Sequence, residues 1–279
     1  MISKNAIDDW RKNVPGNLDE QVEQDLLLSK VIIDLYSDPF IQNHLALSGG
    51  AALQKLYFDK PYRYSEDLNF VQINPGSLGI VLDHIQDKLV WLGKPSLKIK
   101  EGGIILYYKI YSETALNNKR RIKLQINAFQ HSQMLGITSK NYVIENPWVT
   151  GTAAVTTYYV EELLGIQTRA LYQRKKGRYL FDVYYAMRQL NLNPEQIADV
   201  FCFYLEKAGV LVSRQNFEEN LFNKITNQTF LNDIYAVIPN EFRTGFEVVE
   251  AMQYVNKNFI TLLPGEPWDG DMDARLSAL

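Results

Sequence analysis

Cysteine is almost absent from this chain, because Cys202 is the only one in 279 residues. An intramolecular disulfide is therefore excluded. The neighbours Val200, Phe201 and Phe203 are apolar, so the sequence predicts a small buried hydrophobic side chain at Cys202 rather than a reactive thiol. A reducing compartment fits this use of cysteine, and we expect the protein to be cytoplasmic.

Long apolar runs are absent as well. No stretch of about 18 consecutive apolar residues occurs, and residues 1–13 are polar and charged. We therefore expect neither membrane insertion nor export. At 46% hydrophobic content, the chain is nevertheless long enough to bury a substantial core.

Zinc-binding clusters and common phosphate-binding fingerprints are also missing. His44, His84 and His131 have no companion cysteines or acids at ligand spacing, which argues against a zinc site. The sequence contains no P-loop, no dinucleotide-binding fingerprint and no Gly-x-Ser-x-Gly motif.

A large excess of either charge is missing too. The formal net charge of −3 gives no global attraction to nucleic acid, so nucleotide or RNA binding would have to use local basic patches. Two such patches occur, at residues 119–123 and 169–178. Taken alone, each patch is more typical of a solvated charged face than of a binding site.

The first half of the chain predicts a mixed arrangement of helices and strands. Apolar residues recur at helical spacing over residues 17–43, after the turn signal Pro15-Gly16-Asn17. A short strand over residues 46–48 ends at a glycine pair, and helical spacing follows. Further strands are predicted at residues 64–73, 97–100, 104–111 and 121–129, with a hairpin at 101–103 and a helix at 78–92.

The second half predicts a helical bundle. Helical patterns cover residues 160–173, 179–190, 194–208, 214–226 and 240–258, with Asn193 as an N-cap and Pro194 at the first helical position. We therefore expect two domains, an α/β domain at residues 1–155 and a helical domain at residues 156–279 that closes a cleft.

The most informative segments are Ser48-Gly49-Gly50 and Arg63-x-Ser65-x-Asp67-x-Asn69. A small turn lets a phosphate approach backbone N–H groups. Side chains two apart on a strand share a face, so Asp67 and Asn69 are expected to point together at a metal that bridges phosphates. By the same spacing, Lys123 and Gln125 share a face on a later strand.

These segments, in this order, resemble the AbiEii/AbiGii toxin family. This family is a branch of the polymerase-β-like nucleotidyltransferases found in bacterial abortive-infection and toxin–antitoxin systems. The resemblance implies an α+β fold, with a mixed-sheet nucleotidyltransferase domain followed by a C-terminal helical bundle. It also implies a nucleoside triphosphate substrate, Mg²⁺ or Mn²⁺ as cofactor, a tRNA 3′ end as acceptor and a cognate antitoxin as partner.

The resemblance also implies roles for individual residues. Asp67, Lys123 and Asp182 are the expected catalytic residues, and Asp67 is also the expected metal ligand. The expected nucleotide-binding residues are Ser48, Gly49, Gly50, Ser65, Arg169 and Arg174.

The chain departs from the family at four polar positions. Asn69 and Gln125 stand where the family keeps acids, and they are expected to be weak metal ligands. Gln167 replaces a lysine that commonly contacts the nucleotide, and Tyr179 replaces an aspartate. Together these changes weaken both metal and phosphate binding.

Two hypotheses about the function of these residues therefore remain open. One is a transferase that moves a nucleotidyl group to an acceptor, and the other is a degenerate member that only binds nucleotide, RNA or a protein partner. For single residues, Ser65 either donates to a phosphate or fills an exposed strand position. Arg169 and Arg174 either contact phosphate or form ion pairs with Glu161 or Glu162.

Overall fold

A computed structural model describes residues 2–14, 18–100, 102–111 and 119–277. The predicted turn signal at residues 15–17, Glu101 of the predicted hairpin, and the side chains of Lys119 and Arg120 in the first basic patch lie outside the described part. No helix among the described residues is long and apolar enough to span a membrane.

The described residues form seven strands, thirteen α-helices and three short 3₁₀ helices. The strands are β1 (Leu45–Ser48), β2 (Asp67–Gln72), β3 (Ser96–Lys100), β4 (Gly103–Tyr111), β5 (Lys119–Asn127), β6 (Ile137–Asn146) and β7 (Val149–Tyr158). The helices of the first half are α1 (Lys4–Trp10), α2 (Asp19–Tyr36), α3 (Pro39–His44), α4 (Gly49–Tyr57) and α5 (Leu78–Lys88). Those of the second half are α6 (Val160–Gln173), α7 (Arg178–Gln189), α8 (Pro194–Glu206), α9 (Arg214–Phe222), α10 (Gln228–Val237), α11 (Asn240–Arg243), α12 (Val248–Asn258) and α13 (Met272–Ser277). The 3₁₀ helices are Arg11–Asn13, Val90–Leu92 and Ile260–Leu262.

The strands form one mixed sheet in the order β3-β4-β5-β2-β1-β7-β6. The β1–β7 and β2–β5 pairs are parallel and the other pairs are antiparallel. This architecture confirms the predicted α+β class with a mixed sheet and a helical second half.

The chain divides into two compact units. The first consists of residues 1–133 and 137–158, and the second of residues 134–136 and 159–279. The sheet and helices α1 to α5 belong to the first unit, and helices α6 to α13 belong to the second.

A buried ion pair joins two helices of the first unit. Lys55 Nζ of α4 lies 2.7 Å from Asp25 Oδ2 of α2, and both side chains are almost fully enclosed. Ser29 and Trp10 complete the network, since Ser29 accepts from Lys55 and the Trp10 indole N–H donates to Asp25. A buried pair with satisfied partners fixes one arrangement, because removing either member leaves an uncompensated charge at a cost of about 3–5 kcal/mol.

The helical unit holds a short segment from the middle of the sequence. The fully buried Glu162 of α6 accepts hydrogen bonds from the backbone N–H groups of Met134 and Leu135 at 3.1 and 2.6 Å. The Tyr204 hydroxyl of α8 donates to the same carboxylate. These three donors offset the cost of burying the charge of Glu162.

Several elements differ from the sequence-based expectation. The hairpin β6–β7 and the helices α1 and α10 were not predicted, and β2 begins at Asp67 instead of residue 64. Predicted helices at 78–92 and 240–258 are each interrupted, the second between Arg243 and Val248. The predicted cap is confirmed, since the Asn193 side chain accepts from Glu195 and Gln196 at the start of α8.

Candidate active site

Four polar side chains form a square on one face of the sheet. In the parallel β2–β5 pair, Asp67 lies opposite Lys123 and Asn69 lies opposite Gln125. Paired residues share a face, and so do residues two apart on one strand. The predicted convergence of these four residues is therefore found in the structure.

An ion pair occupies one side of this square. Lys123 Nζ lies 2.7 Å from Asp67 Oδ2, and both side chains remain about 30% exposed, at 31% and 29%. The Asn69 amide donates to the other carboxylate oxygen, Asp67 Oδ1, at 3.3 Å. Both oxygens of Asp67 therefore have donors, and the charges of Asp67 and Lys123 balance.

A glycine turn lies beside Asn69. Ser48 at the end of β1 pairs with Asn69, and α4 begins at the next residue, Gly49. Gly49 has φ of +73°, a left-handed conformation that favours glycine, and a Cβ there would lie 3.4 Å from Asn69 Nδ2. The first N–H groups of a helix have no intrahelical acceptor, so the start of α4, including the buried Gly50, is suited to an anion.

Ser65 is fixed by a buried arginine. Arg63 Nη1 donates to Ser65 Oγ at 3.2 Å and to the Tyr64 carbonyl at 2.7 Å. Arg63 and Ser65 are each only 4% exposed. Because Ser65 Oγ accepts from Arg63, its hydroxyl proton is left to donate to an oxygen of a bound group.

Gln24 positions the two strands that carry the square, and the sequence interpretation missed it. Its amide donates to the carbonyls of Glu66 and Arg121 at 3.2 and 3.4 Å. These carbonyls lie just before Asp67 and two residues before Lys123. A polar residue on the otherwise apolar face of a predicted helix was the available signal, since Gln24 is 4% exposed.

The donor set limits which metal ions the site can hold. Among the described residues, no group of three or more His, Cys, Asp or Glu is placed to bind a metal. Asp67 is the one carboxylate of the square, and the side-chain carbonyls of Asn69 and Gln125 are neutral oxygen donors. Mg²⁺ can be held by one or two carboxylates together with substrate phosphates, so this set fits one such ion and lacks the anionic ligands for two.

The helical unit places Gln167 and Asp182 together in its core. Gln167 Nε2 donates to Asp182 Oδ2 at 3.0 Å, and the two side chains are 2% and 0% exposed. Nearby in sequence, Arg178 at the start of α7 forms a bidentate pair with Asp233 of α10. Burial alone would raise the pKa of Asp233, but these hydrogen bonds lower it below the ordinary value.

Arg174 and Arg169 make aromatic contacts in the helical unit. Arg174 Nη1 donates to the Tyr179 hydroxyl at 2.8 Å, and the guanidinium lies 5.8 Å from the centre of the Tyr179 ring. Arg169 lies 5.6 Å from the ring of Tyr204, and burial lowers the pKa of its guanidinium.

The predicted site residues thus fall into two groups. The structure brings together most of those in the first unit, namely Ser48, Gly49, Gly50, Asp67, Asn69, Lys123 and Gln125, while Ser65 lies two residues before Asp67 and contacts Arg63. Arg169, Arg174 and Asp182 belong to the second unit, and their functional roles stay predictions.

A glycine turn lies beside a lysine–aspartate pair on a mixed sheet, and this arrangement is suited to binding a nucleotide phosphate, as a nucleotidyltransferase-type protein requires. A sequence model described as "Nucleotidyl transferase AbiEii toxin, Type IV TA system" matches residues 33–248. The chain belongs to this AbiEii nucleotidyl transferase toxin family, which confirms the resemblance stated above. Membership in a toxin–antitoxin family implies a nucleotide substrate and a cognate antitoxin.

Solved structures share the fold. JHP933 from Helicobacter pylori has a TM-score of 0.54 at 14% identity, covering 94% of this chain and 95% of that one. A putative nucleotidyltransferase from H. pylori gives the same TM-score and identity, with 94% and 98% coverage. MenT4, a nucleotidyltransferase toxin from Mycobacterium tuberculosis H37Rv, has a TM-score of 0.50 at 11% identity, with 99% and 92% coverage. At these identities the likeness shows the fold alone. No curated protein sequence matches this chain.

Proposed function

We propose that this protein transfers a nucleotidyl group from a nucleoside triphosphate to an acceptor hydroxyl at the 3′ end of a tRNA. The observation that carries the proposal is the Lys123–Asp67 pair, which lies on the face shared with the glycine turn at Gly49. A cation, a carboxylate and free helix N–H groups in one place suit the binding of a polyphosphate.

Residues of the first unit have separate roles in the proposed reaction. Gly49, Gly50 and the Ser65 hydroxyl contact the phosphates. The acceptor oxygen forms a bond to the α-phosphorus, the bond to the β-phosphate breaks, and pyrophosphate leaves with the electron pair. Lys123 offsets the negative charge that develops on the phosphate oxygens, and the hydroxyl proton is released to solvent.

Asp67 would hold one Mg²⁺ or Mn²⁺, with Asn69 and Gln125 as weak neutral ligands. Such an ion would supply electrostatic stabilisation of the transferring phosphoryl group. An ion held at Asp67 Oδ2 would take the place of Lys123 Nζ there and would leave the lysine ammonium to the phosphates. The predicted roles of Arg169, Arg174 and Asp182 are to neutralise phosphate charge and support the nucleotide pocket.

Family membership supports a cognate antitoxin as partner, and the identity of the acceptor is part of the proposal. A tRNA acceptor, a role in abortive infection and a cytoplasmic location belong to the proposal together with the antitoxin.

A second candidate is a degenerate member that binds nucleotide, RNA or a protein without catalysis. The observation that favours it is the neutral pair Asn69 and Gln125, opposite each other where an active site of this kind needs anionic metal ligands. In that case a triphosphate would bind through Lys123 and the glycine turn, and metal would add little.

The test is incubation of the protein with each α-labelled nucleoside triphosphate, Mg²⁺ or Mn²⁺, and total bacterial tRNA. Asp67→Ala is the key variant, and Asp59→Ala, an exposed aspartate outside the square, is the matched control. Label that enters RNA with wild type and Asp59→Ala but not with Asp67→Ala supports transfer. Triphosphate binding without incorporation under any condition makes the binding protein the better account.

A further inference from the structure

The face that carries the square continues outward across the sheet into a basic surface. We call Lys98, Lys100, Lys109 and Arg121 the basic face. All four side chains are exposed, and none forms an ion pair with another described residue. They lie on β3, β4 and β5, the strands at one end of the sheet.

Strand register places the basic face on the same side as the square. Gln125 pairs with Ile105, and Ile105 pairs with Lys98. Arg121 pairs with Lys109 and lies two residues before Lys123 on β5. Since paired residues and residues two apart share a face, these cations and the square face the same way.

The basic face carries a local excess of positive charge. Asp67 is the one acidic residue among the described positions of these register rows, and Lys123 already balances it. The whole chain has a formal net charge of −3, so this concentration of unpaired cations is a local feature. An arrangement of this kind attracts a polyanion at short range.

Two tyrosines lie among these cations. Tyr107 pairs with Lys123 and is half-buried, and Tyr111 lies four residues further along β4 on the same face. Tyr111 is 73% exposed. Exposed aromatic rings beside a basic track are the platform on which unpaired bases stack.

We propose that the basic face binds the single-stranded end of the acceptor RNA and leads it to the square. The cations contact successive phosphates and Tyr111 stacks on a base, while the terminal hydroxyl reaches the Lys123–Asp67 pair. Strands are spaced by about 4.8 Å, so the track from β3 to β2 extends about 14 Å, which is enough for a few nucleotides. This proposal rests on the proposed function and adds where its acceptor binds.

The experiment uses a fluorescein-labelled oligonucleotide of ten uridines and the full chain. Lys98→Glu/Lys109→Glu reverses two charges of the basic face. Lys4→Glu/Lys60→Glu makes the same change in charge at exposed positions of the first unit outside the basic face. Fluorescence anisotropy at several salt concentrations gives the affinity and its salt dependence.

The basic-face variant should bind the oligonucleotide at least about tenfold more weakly. Its slope of log affinity against log salt should fall by about 1.4, since each lost phosphate contact removes about 0.7 for a single strand. The control variant should stay within about twofold of wild type. Tyr111→Ala should weaken binding by about fivefold or more without changing the slope.

Equal losses in the two charge variants, or no oligonucleotide binding by the wild type, would overturn the proposal. The proposal would also be overturned if Lys98→Glu/Lys109→Glu lost binding to an acidic protein partner but bound the oligonucleotide as the wild type does. Inorganic triphosphate binding, measured on the same samples, tests the square itself. If the wild type does not bind triphosphate but binds the oligonucleotide through the basic face, the result contradicts the transferase function and supports the RNA-binding surface.

Discussion

Lys123 donates to Asp67 at 2.7 Å across two neighbouring parallel strands. The carboxylate that would hold a metal is therefore also the counterion of the lysine that would contact the phosphates. We therefore expect that binding of a metal at Asp67 Oδ2 and release of Lys123 toward a polyphosphate are coupled.

Asp67→Asn should uncouple metal binding from the release of Lys123. The variant keeps the shape of the side chain but leaves Lys123 without its counterion, so inorganic triphosphate should bind more tightly in the absence of metal. The expected gain is ~1 kcal/mol, or about fivefold in affinity. The increase in affinity that Mg²⁺ gives the wild type should disappear. Calorimetric titration with and without Mg²⁺ measures both effects.

The matched control for this variant is Asp59→Asn, which changes an exposed carboxylate away from the square. It should bind triphosphate as the wild type does. Weaker metal-free binding by Asp67→Asn would contradict the idea that the lysine serves the phosphates.

Restoring the acids should raise metal-dependent activity. Asn69→Asp and Gln125→Glu, singly and together, add anionic ligands beside Asp67, and more negative ligands increase affinity for a hard cation. We expect the double variant to need about tenfold less Mg²⁺ for half-maximal label transfer, a difference of ~1.4 kcal/mol. Metal-free triphosphate binding should weaken because the added charges repel it.

Asn127→Asp provides the comparison for these variants. It adds a carboxylate on the same strand and face but two residues beyond Gln125, where the side chain caps the turn at Phe129 and Gln130. A similar drop in the Mg²⁺ requirement with Asn127→Asp would show that charge alone, and not ligand geometry, explains the gain.

Gln24→Leu should loosen the strands that carry the square. The carbonyls of Glu66 and Arg121 would lose their donor, and an unsatisfied buried acceptor costs about 1–3 kcal/mol. Chemical denaturation should show that loss, and triphosphate affinity should fall because Lys123 shifts relative to the glycine turn at Gly49. Gln21→Leu, on the same helix and half-exposed, should change neither quantity.

Lys224 gives the helical unit a distinctive pH dependence. Burial lowers the pKa of Lys224 to about 8, and its ammonium donates to the last carbonyls of α6, at Leu171 and Tyr172. The lysine of the unfolded chain titrates near 10.5. Between these values the unfolded chain binds more protons, so the free energy of unfolding rises with pH, by about 1 kcal/mol per unit.

Lys224→Met should remove this slope and destabilise α6 by loss of its carbonyl donor. Hydrogen exchange of peptides from residues 160–173, measured from pH 8 to 9.5, compares the variant with wild type after correction for the intrinsic rate. Parallel pH profiles for the two proteins would assign the dependence to other groups.

Much of the square could be predicted from the sequence because it depends on local periodicity. Residues 67 and 69, and residues 123 and 125, share faces by strand alternation alone. The Asp67–Lys123 contact could not be predicted in this way, because it depends on the parallel pairing of strands that are 56 residues apart in sequence.

Other features were missed for a different physical reason. The hairpin β6–β7 has Thr, Lys, Asn and Glu at many positions, and one of its strands is an edge of the sheet, so apolar alternation is weak. The positioning role of Gln24 depends on two backbone carbonyls from distant segments. Sequence periodicity shows that a side chain faces inward, but it does not show which acceptor the side chain meets.

The hydrogen bonds of Glu162 have a consequence for dissecting this protein into fragments. Neither unit is one uninterrupted stretch of sequence, because Met134 and Leu135 supply N–H donors to a carboxylate of α6. A fragment that starts at Tyr159 would therefore bury Glu162 without those donors. The helical unit is better isolated as a fragment that begins at Met134 and has a flexible linker from Gly136 to Tyr159 in place of residues 137–158. During synthesis, likewise, the segment at Met134 leaves the ribosome before the helix that it completes.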